Sequence, residues 1–181
     1  SRSTFVRAKI GGLQGRKLAR GDVLPRGART LANRPRKLPD VWIPRYGHAI
    51  TLRALPGPED DAFRASSGVF FSAPYEVTPE CDRMGYRLRG AAIEHDPEAP
   101  KSIVTEPTTP GNVQIPADGQ PIILLVEQTS GGYTKIATVI SPDLPKVAQA
   151  LPGDTVRFAR VTLEDAHRVN REQHELLSQI R

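Results

Sequence analysis

Val113-Gln-Ile-Pro-Ala-Asp-Gly-Gln-Pro-Ile-Ile-Leu-Leu-Val-Glu-Gln-Thr-Ser-Gly-Gly-Tyr-Thr-Lys-Ile-Ala-Thr-Val-Ile-Ser141 holds three extended runs in 29 residues, at 113–116, 121–127 and 136–141. The runs are rich in Val and Ile, too short for independent helices, and separated by Gly, Pro and Asp, the residues that supply turns. The pattern repeats outward. Residues 4–10, 48–55, 69–77, 83–89 and 155–161 also favour alternation over the helical period. Eight short strands, in a chain punctuated by 17 prolines and 15 glycines, predict a mainly β fold, a barrel or a sandwich.

Three helices are expected beside the strands. Residues 58–65 carry Glu59, Asp60 and Asp61, which suit the positive end of a short helix. A second spans 143–150, after Ser141 as N-cap and Pro142 in the first turn. The third starts after Thr162, with Asp165 at the third position, and runs to the end. Its Leu163, Ala166, Val169, Leu176, Leu177 and Ile180 form one apolar stripe, expected to pack on the barrel, with docking on another subunit as the alternative. Two turns share one form, Leu18-Ala-Arg-Gly-Asp22 and Leu151-Pro-Gly-Asp154, and each is expected to lead into a strand.

Composition narrows the function classes. With 38% hydrophobic residues and a net charge of +5, the chain is neither disordered throughout nor strongly charged. The longest uncharged apolar run, 122–126, is too short to cross a bilayer, so no membrane partner is expected. The single cysteine, Cys81, excludes an internal disulfide and a cysteine-based zinc site, and a reducing cytoplasm is the expected compartment. The chain starts at Ser1-Arg-Ser without Met and is expected to be a piece of a longer protein. Charge is uneven: residues 1–55 sum to +11 and residues 56–181 to −6. The basic stretch from Arg26 to Lys37, flanked by Pro25, lacks interleaved aromatics, so it reads as a solvated or partner-facing connection rather than a nucleic-acid arm. Residues 1–47 are accordingly expected to connect to, and complete, a preceding subdomain, with residues 48–181 as the barrel domain.

Two segments are candidates for chemistry. Asp82-Arg-Met-Gly-Tyr-Arg-Leu88 places Arg83 and Arg87 four apart, on one face of a strand. Two guanidinium forks there suit a carboxylate, phosphate or carbamate. The alternative is an exposed strand face paired with Glu76 or Glu80. The second segment gathers Gln114, Gln120, Glu127, Gln128, Gly131, Gly132, Tyr133 and Lys135 at strand ends. Gly131 and Gly132 can offer backbone N–H groups to an anion, Lys135 a positive charge and Glu127 a base, while a tight Gly-Gly hairpin explains the glycines equally well. No phosphate-loop spacing, nucleophile elbow or zinc triad occurs, so no metal is expected and the four scattered histidines read as structural or solvated.

The motifs resemble those of the allophanate hydrolase subunit 2 family, also described as KipA-like or as the C-type subunit of 5-oxoprolinase, and the carboxyltransferase region of urea carboxylase. The resemblance runs through Ser1-Arg-Ser-Thr4, Leu55-Pro-Gly-Pro58, Asp82 to Leu88, Val113-Gln-x-Pro116, Gly119-Gln-Pro-Ile122, Gly131-Gly-Tyr133 and Leu151-Pro-Gly-Asp154. It implies a cyclophilin-like β barrel with two or three short helices and a C-terminal helix. Two departures stand out: many relatives carry an acid where Val126 stands, with Glu127 one place on, and a threonine at Ser130.

What the resemblance implies for function is divided. The first reading is a subunit of an ATP-dependent 5-oxoprolinase, an amide hydrolase inactive alone, opening 5-oxoproline to glutamate with a subunit 1 partner and a third subunit. ATP then sits on this chain or on a partner. The second is a carboxyltransferase taking carboxylate from carboxybiotin on a partner. The third is a non-catalytic antagonist of a kinase-inhibitor-like partner. On the first reading Arg83, Glu127, Gln128 and Lys135 are the expected catalytic groups. Arg87, Gln114, Gln120, Gly131, Gly132 and Tyr133 are then expected to bind a small amide or carboxylate substrate.

Overall fold

The computed structural model describes residues 3–6, 8–25 and 37–179. It comprises two compact units, Ser1–Pro39 and Asp40–Arg181. In the first, the described residues of 4–10 do not form the expected strand. Phe5 and Ile10 make an isolated antiparallel bridge across a turn. The basic residues 26–36 lie outside the described residues.

The second unit is a closed barrel. Its strands are β1 (Ala49–Pro56), β2 (Tyr75–Cys81), β3 (Gly85–Gly90), β5 (Asn112–Gln114), β6 (Ile122–Leu124), β8 (Lys135–Val139) and β9 (Thr155–Arg160), in the spatial order β1-β8-β5-β6-β3-β2-β9. Strands β4 (Ser102–Pro107) and β7 (Ser130–Tyr133) pair only with each other, as a two-stranded ribbon. The seven-stranded closure removes the open edges a flat sheet would expose. All barrel pairs are antiparallel except β1 with β9, which run parallel from Ala49 opposite Thr155 to Ala54 opposite Arg160.

Alternation fills the interior: Leu52 and Ala54 of β1, Val77 of β2, Leu88 of β3, Val113 of β5, Ile123 of β6 and Val156 and Phe158 of β9 are fully buried. Phe158 stacks on Phe70 with ring centroids 4.3 Å apart. Phe70 belongs to helix α1 (Ser67–Ser72), where the sequence predicts a strand over 69–77. The break comes at Ala73-Pro74: a residue before proline is driven to extended backbone, and Ala73 sits at φ −76°, ψ 151°. The helix therefore ends there and β2 starts one residue after the proline.

The remaining helices lie near their expected places. Residues 58–65 form only a 3-10 turn at Asp60–Phe63, and α2 (Leu144–Ala148) follows a second such turn at Ser141–Asp143. Helix α3 (Leu163–Ser178) is capped as its sequence predicts, with the Asp165 N–H donating to Thr162 Oγ1 at 3.2 Å. Its stripe is covered only at Ala166 and, in part, at Val169, and Ile180 lies outside the described residues. Ala166 is buried, whereas Leu163, Leu176 and Leu177 stay exposed. The two Gly-Asp turns are equivalent in detail: Gly21 and Gly153 both have φ +92°. Asp22 accepts from the Ala19 N–H at 2.6 Å and Asp154 from the Leu151 N–H at 2.8 Å, but only the second turn leads into a strand among the described residues.

Candidate active site

The candidate residues fall into three groups. The first lies at the rim of the barrel, where the turn before β3 runs beside the segment after β6. The Leu125 N–H donates to Met84 O at 2.9 Å and the Glu127 N–H to Arg83 O at 3.1 Å, extending the β3–β6 pairing beyond both strands. This register brings the Arg83 guanidinium onto the Glu127 carboxylate, both partly open to solvent. Gln128 follows, its side-chain amide donating to Ser130 O, while Thr108 Oγ1 donates to Gln128 O at 2.9 Å. Arg83 thus precedes β3 rather than sharing a strand face with Arg87.

Arg87 and Gln120 form the second group and serve the barrel wall. Arg87 binds Glu80 at 3.0 Å and Asp118 at 2.9 Å, the exposed-face pairing that the sequence offered as the alternative. The Gln120 amide takes the Gly90 N–H at 2.9 Å, completing the backbone pairing where β3 ends.

The third group lies beneath the β4–β7 ribbon. Gly131 and Gly132 are inside β7, not in a hairpin turn, and Gly131 sits directly over Gln114. A Cβ on Gly131 would come within 2.3 Å of Gln114 Nε2, so a larger residue here would displace this buried amide. Tyr133 is half exposed, and its carbonyl accepts from Gln114 Nε2 at 3.4 Å.

Lys135, opposite Gln114 in the β5–β8 register, has a side chain only 3% exposed. Its ammonium lies 3.0 Å from Glu59 and 2.6 Å from Glu106. Burial works against that charge, but the hydrogen bonds to Glu106 and Glu59 outweigh it and hold the Lys135 pKa above the ordinary lysine value. Such a lysine is a poor proton acceptor and a good strut. Glu59 reaches it because Gly57 packs on the backbone of β8, with the Gly57 N–H donating to Ile136 O at 2.9 Å. Any Cβ at Gly57 would lie 2.1 Å from Lys135 O, which accounts for the glycine of Leu55-Pro-Gly-Pro58. Next to Lys135, the buried Thr134 Oγ1 lies 2.7 Å from His95 Nε2. Burial, and then the Lys101 charge, push the His95 pKa down, so the imidazole is neutral at neutral pH.

Glu59, Glu106 and His95 are the groups that the sequence reading missed. Only Glu59 had a nearby signal, the Pro-Gly-Pro turn before it. Chemically, the accessible rim offers a guanidinium for an anion, a carboxylate for a proton and an amide for orientation. The buried groups fix the ribbon that carries Tyr133. Glycine N–H groups arranged as a phosphate cradle do not occur here, since Gly131 and Gly132 lie in a strand.

Comparison with known proteins shows the family of the chain. Residues 1–160 match the family described as carboxyltransferase domain, subdomain A and B, and the chain belongs to that family. The C subunit of 5-oxoprolinase from Escherichia coli (strain K12) is 35% identical over 180 residues, covering 98% of this chain and 56% of that protein. Its counterpart in Haemophilus influenzae is 38% identical over 181 residues, covering 99% of this chain and 56% of that protein. The chain thus spans about half the length of these curated relatives. The crystal structure of the Kluyveromyces lactis urea carboxylase superposes with a TM-score of 0.82 at 23% identity, over 100% of this chain and 18% of that one, which shows the shared fold. No helix among the described residues is long and apolar enough to cross a membrane.

Proposed function

We propose that this chain is the barrel-bearing part of a C-type subunit of an ATP-dependent 5-oxoprolinase-like amide hydrolase, working with a subunit 1 partner and a third subunit. The observation that carries this reading is identity of 35–38% to two 5-oxoprolinase C subunits along almost the whole chain. The rim chemistry agrees with a small substrate bearing an amide and a carboxylate. Arg83 holds the substrate anion by a charge-assisted hydrogen bond, exchanging its contact with Glu127. The Glu127 carboxylate so released takes the proton of an attacking water, and the Gln128 amide orients the lactam carbonyl. Hydrolysis then adds the water oxygen to the carbonyl carbon, breaks the ring C–N bond and leaves the proton on nitrogen. ATP supplies the driving force for ring opening, bound either on this chain or on a partner.

Carboxyl transfer from carboxybiotin on a partner is the second reading, favoured by the description of the matching family. The test is glutamate formation from 5-oxoproline and ATP by the full-length protein copurified with both partners. Arg83→Ala is expected to lower turnover about 100-fold or more with thermal unfolding unchanged. Glutamate formation that survives this substitution removes the rim from the mechanism; an intact complex that forms no glutamate moves the assignment to carboxyl transfer.

A further inference from the structure

A cleft of about 620 Å³ lies at the end of β1 away from Gly57, among residues 44–51, α2 and α3. Ile50 and Thr51, which line it, precede Gly57 by six or seven residues of extended chain, roughly 20 Å. The cleft is therefore distant from Lys135, and it shares no lining residue with the rim. Its volume falls within the range of small-ligand pockets, roughly 300–1,000 Å³.

Its lining is one-sided in charge. Arg45 and Lys146 are the charged side chains around it, and no carboxylate lines it. Arg45 is exposed and makes no ion pair or hydrogen bond among the described residues, so its guanidinium is available to a ligand. Lys146 does bind Asp143 at 2.8 Å, but that carboxylate is wholly buried and already shared with Arg53 at 2.7 Å. One negative charge between two cations leaves the cleft positive. Tyr46 offers a half-exposed ring, Ile50 an apolar floor, and Gln149 and Gln173 offer amides.

From this geometry we infer a second ligand site, for a small anion that carries a flat unsaturated ring. Its phosphate or carboxylate bridges Arg45 and Lys146, where the guanidinium fork can bind two oxygens at once. The ring lies on Tyr46, and ring-edge donors and acceptors meet the two glutamine amides. A nucleotide and an aromatic carboxylate share this chemistry, and the site is independent of the proposed amide hydrolysis.

The test is calorimetric titration of the isolated full-length chain with ADP, with indole-3-carboxylate and with inorganic phosphate. At least one ring-bearing anion is expected to bind with Kd of about 1 mM or tighter, and more tightly than phosphate. Binding of ADP alone makes this a nucleotide site, of the indole acid alone a carboxylate site, and of both a site reading only charge and ring. Arg45→Ala is expected to weaken binding tenfold or more with unchanged melting, because Arg45 is exposed and makes no ion pair or hydrogen bond among the described residues. Tyr46→Ala is expected to lower the affinity of the ring-bearing anions towards that of phosphate, and Tyr46→Phe to retain it. No binding of either ring-bearing probe, or equal binding before and after Arg45→Ala, overturns the proposal.

Discussion

Replacing Lys135 with Met separates a strut from a catalyst. Met keeps the length and apolar stem of the side chain and deletes the charge. Glu59 and Glu106 are then left facing each other with one cation fewer, Glu59 largely covered and Glu106 47% exposed. Removing one partner of a buried pair costs roughly 3–5 kcal/mol. Glu106 can turn out to water, which discounts its share. Glu59 keeps its hydrogen bond from the Lys135 backbone N–H at 2.9 Å. The lower end applies, about 3 kcal/mol, or a factor of roughly 100–200 in the folding equilibrium. The assay is urea unfolding of the full-length protein, followed over pH. The folded chain binds the Lys135 proton more tightly than the unfolded chain, whose value is the ordinary 10.5. The stabilisation is thus complete below pH 10.5 and lost as pH rises through the higher folded value. The gap between wild type and Lys135→Met should narrow in that alkaline window. A stability change within about 0.5 kcal/mol, together with abolished turnover, would refute the strut and return Lys135 to the chemistry.

Three further outcomes follow from particular contacts. Asp143→Ala strips a wholly buried carboxylate from Arg53 and Lys146 and should cost about 3–5 kcal/mol by denaturant unfolding. Burial raises the Asp143 pKa, but hydrogen bonds from Arg53 and Lys146 prevail and hold it below 3.8. Its contribution is therefore complete above pH 3.8 and lost as pH falls through the lower folded value, so the variant should show a shallower acid limb. Gly131→Ala drives a methyl into Gln114 and should cost about 1–3 kcal/mol, mostly recovered in the double variant with Gln114→Ala; a single variant as stable as wild type would show that the ribbon does not rest on that amide. Tyr75→Phe removes a buried hydroxyl that has no hydrogen-bond partner among the described residues and whose pKa is pushed up to about 12 by burial, so thermal unfolding should stay level or rise, by up to about 1 kcal/mol.

What the sequence made legible was what its residues decide with near neighbours. Asp22 with Ala19, Asp154 with Leu151 and Thr162 with Asp165 all act across three positions, and all three pairs form as their spacing implies. The strands of 113–116, 121–127 and 136–141 were legible for the same reason, although each is shorter at an end than the apolar run that marks it. Ribbon strands β4 and β7 were not: Ser102, Thr105 and Glu106 offer no apolar alternation, and Gly131-Gly132 reads as a turn until a pairing partner is known. Lys135 illustrates the limit best. Its two carboxylates come from 76 and 29 residues away, distances over which spacing carries no information.

Arg83 and Lys135 look alike in the sequence, each a basic residue within three positions of a glycine, yet they face opposite environments. Arg83 meets solvent at the rim, with a carboxylate that a ligand can displace. Lys135 is shut between acids that hold the ribbon down. Paired variants read the difference directly: Arg83→Ala should move turnover and leave melting alone, whereas Lys135→Met should move melting first. If both moved turnover with melting unchanged, the ribbon would have to open during catalysis, and the buried lysine would then reach the substrate after all.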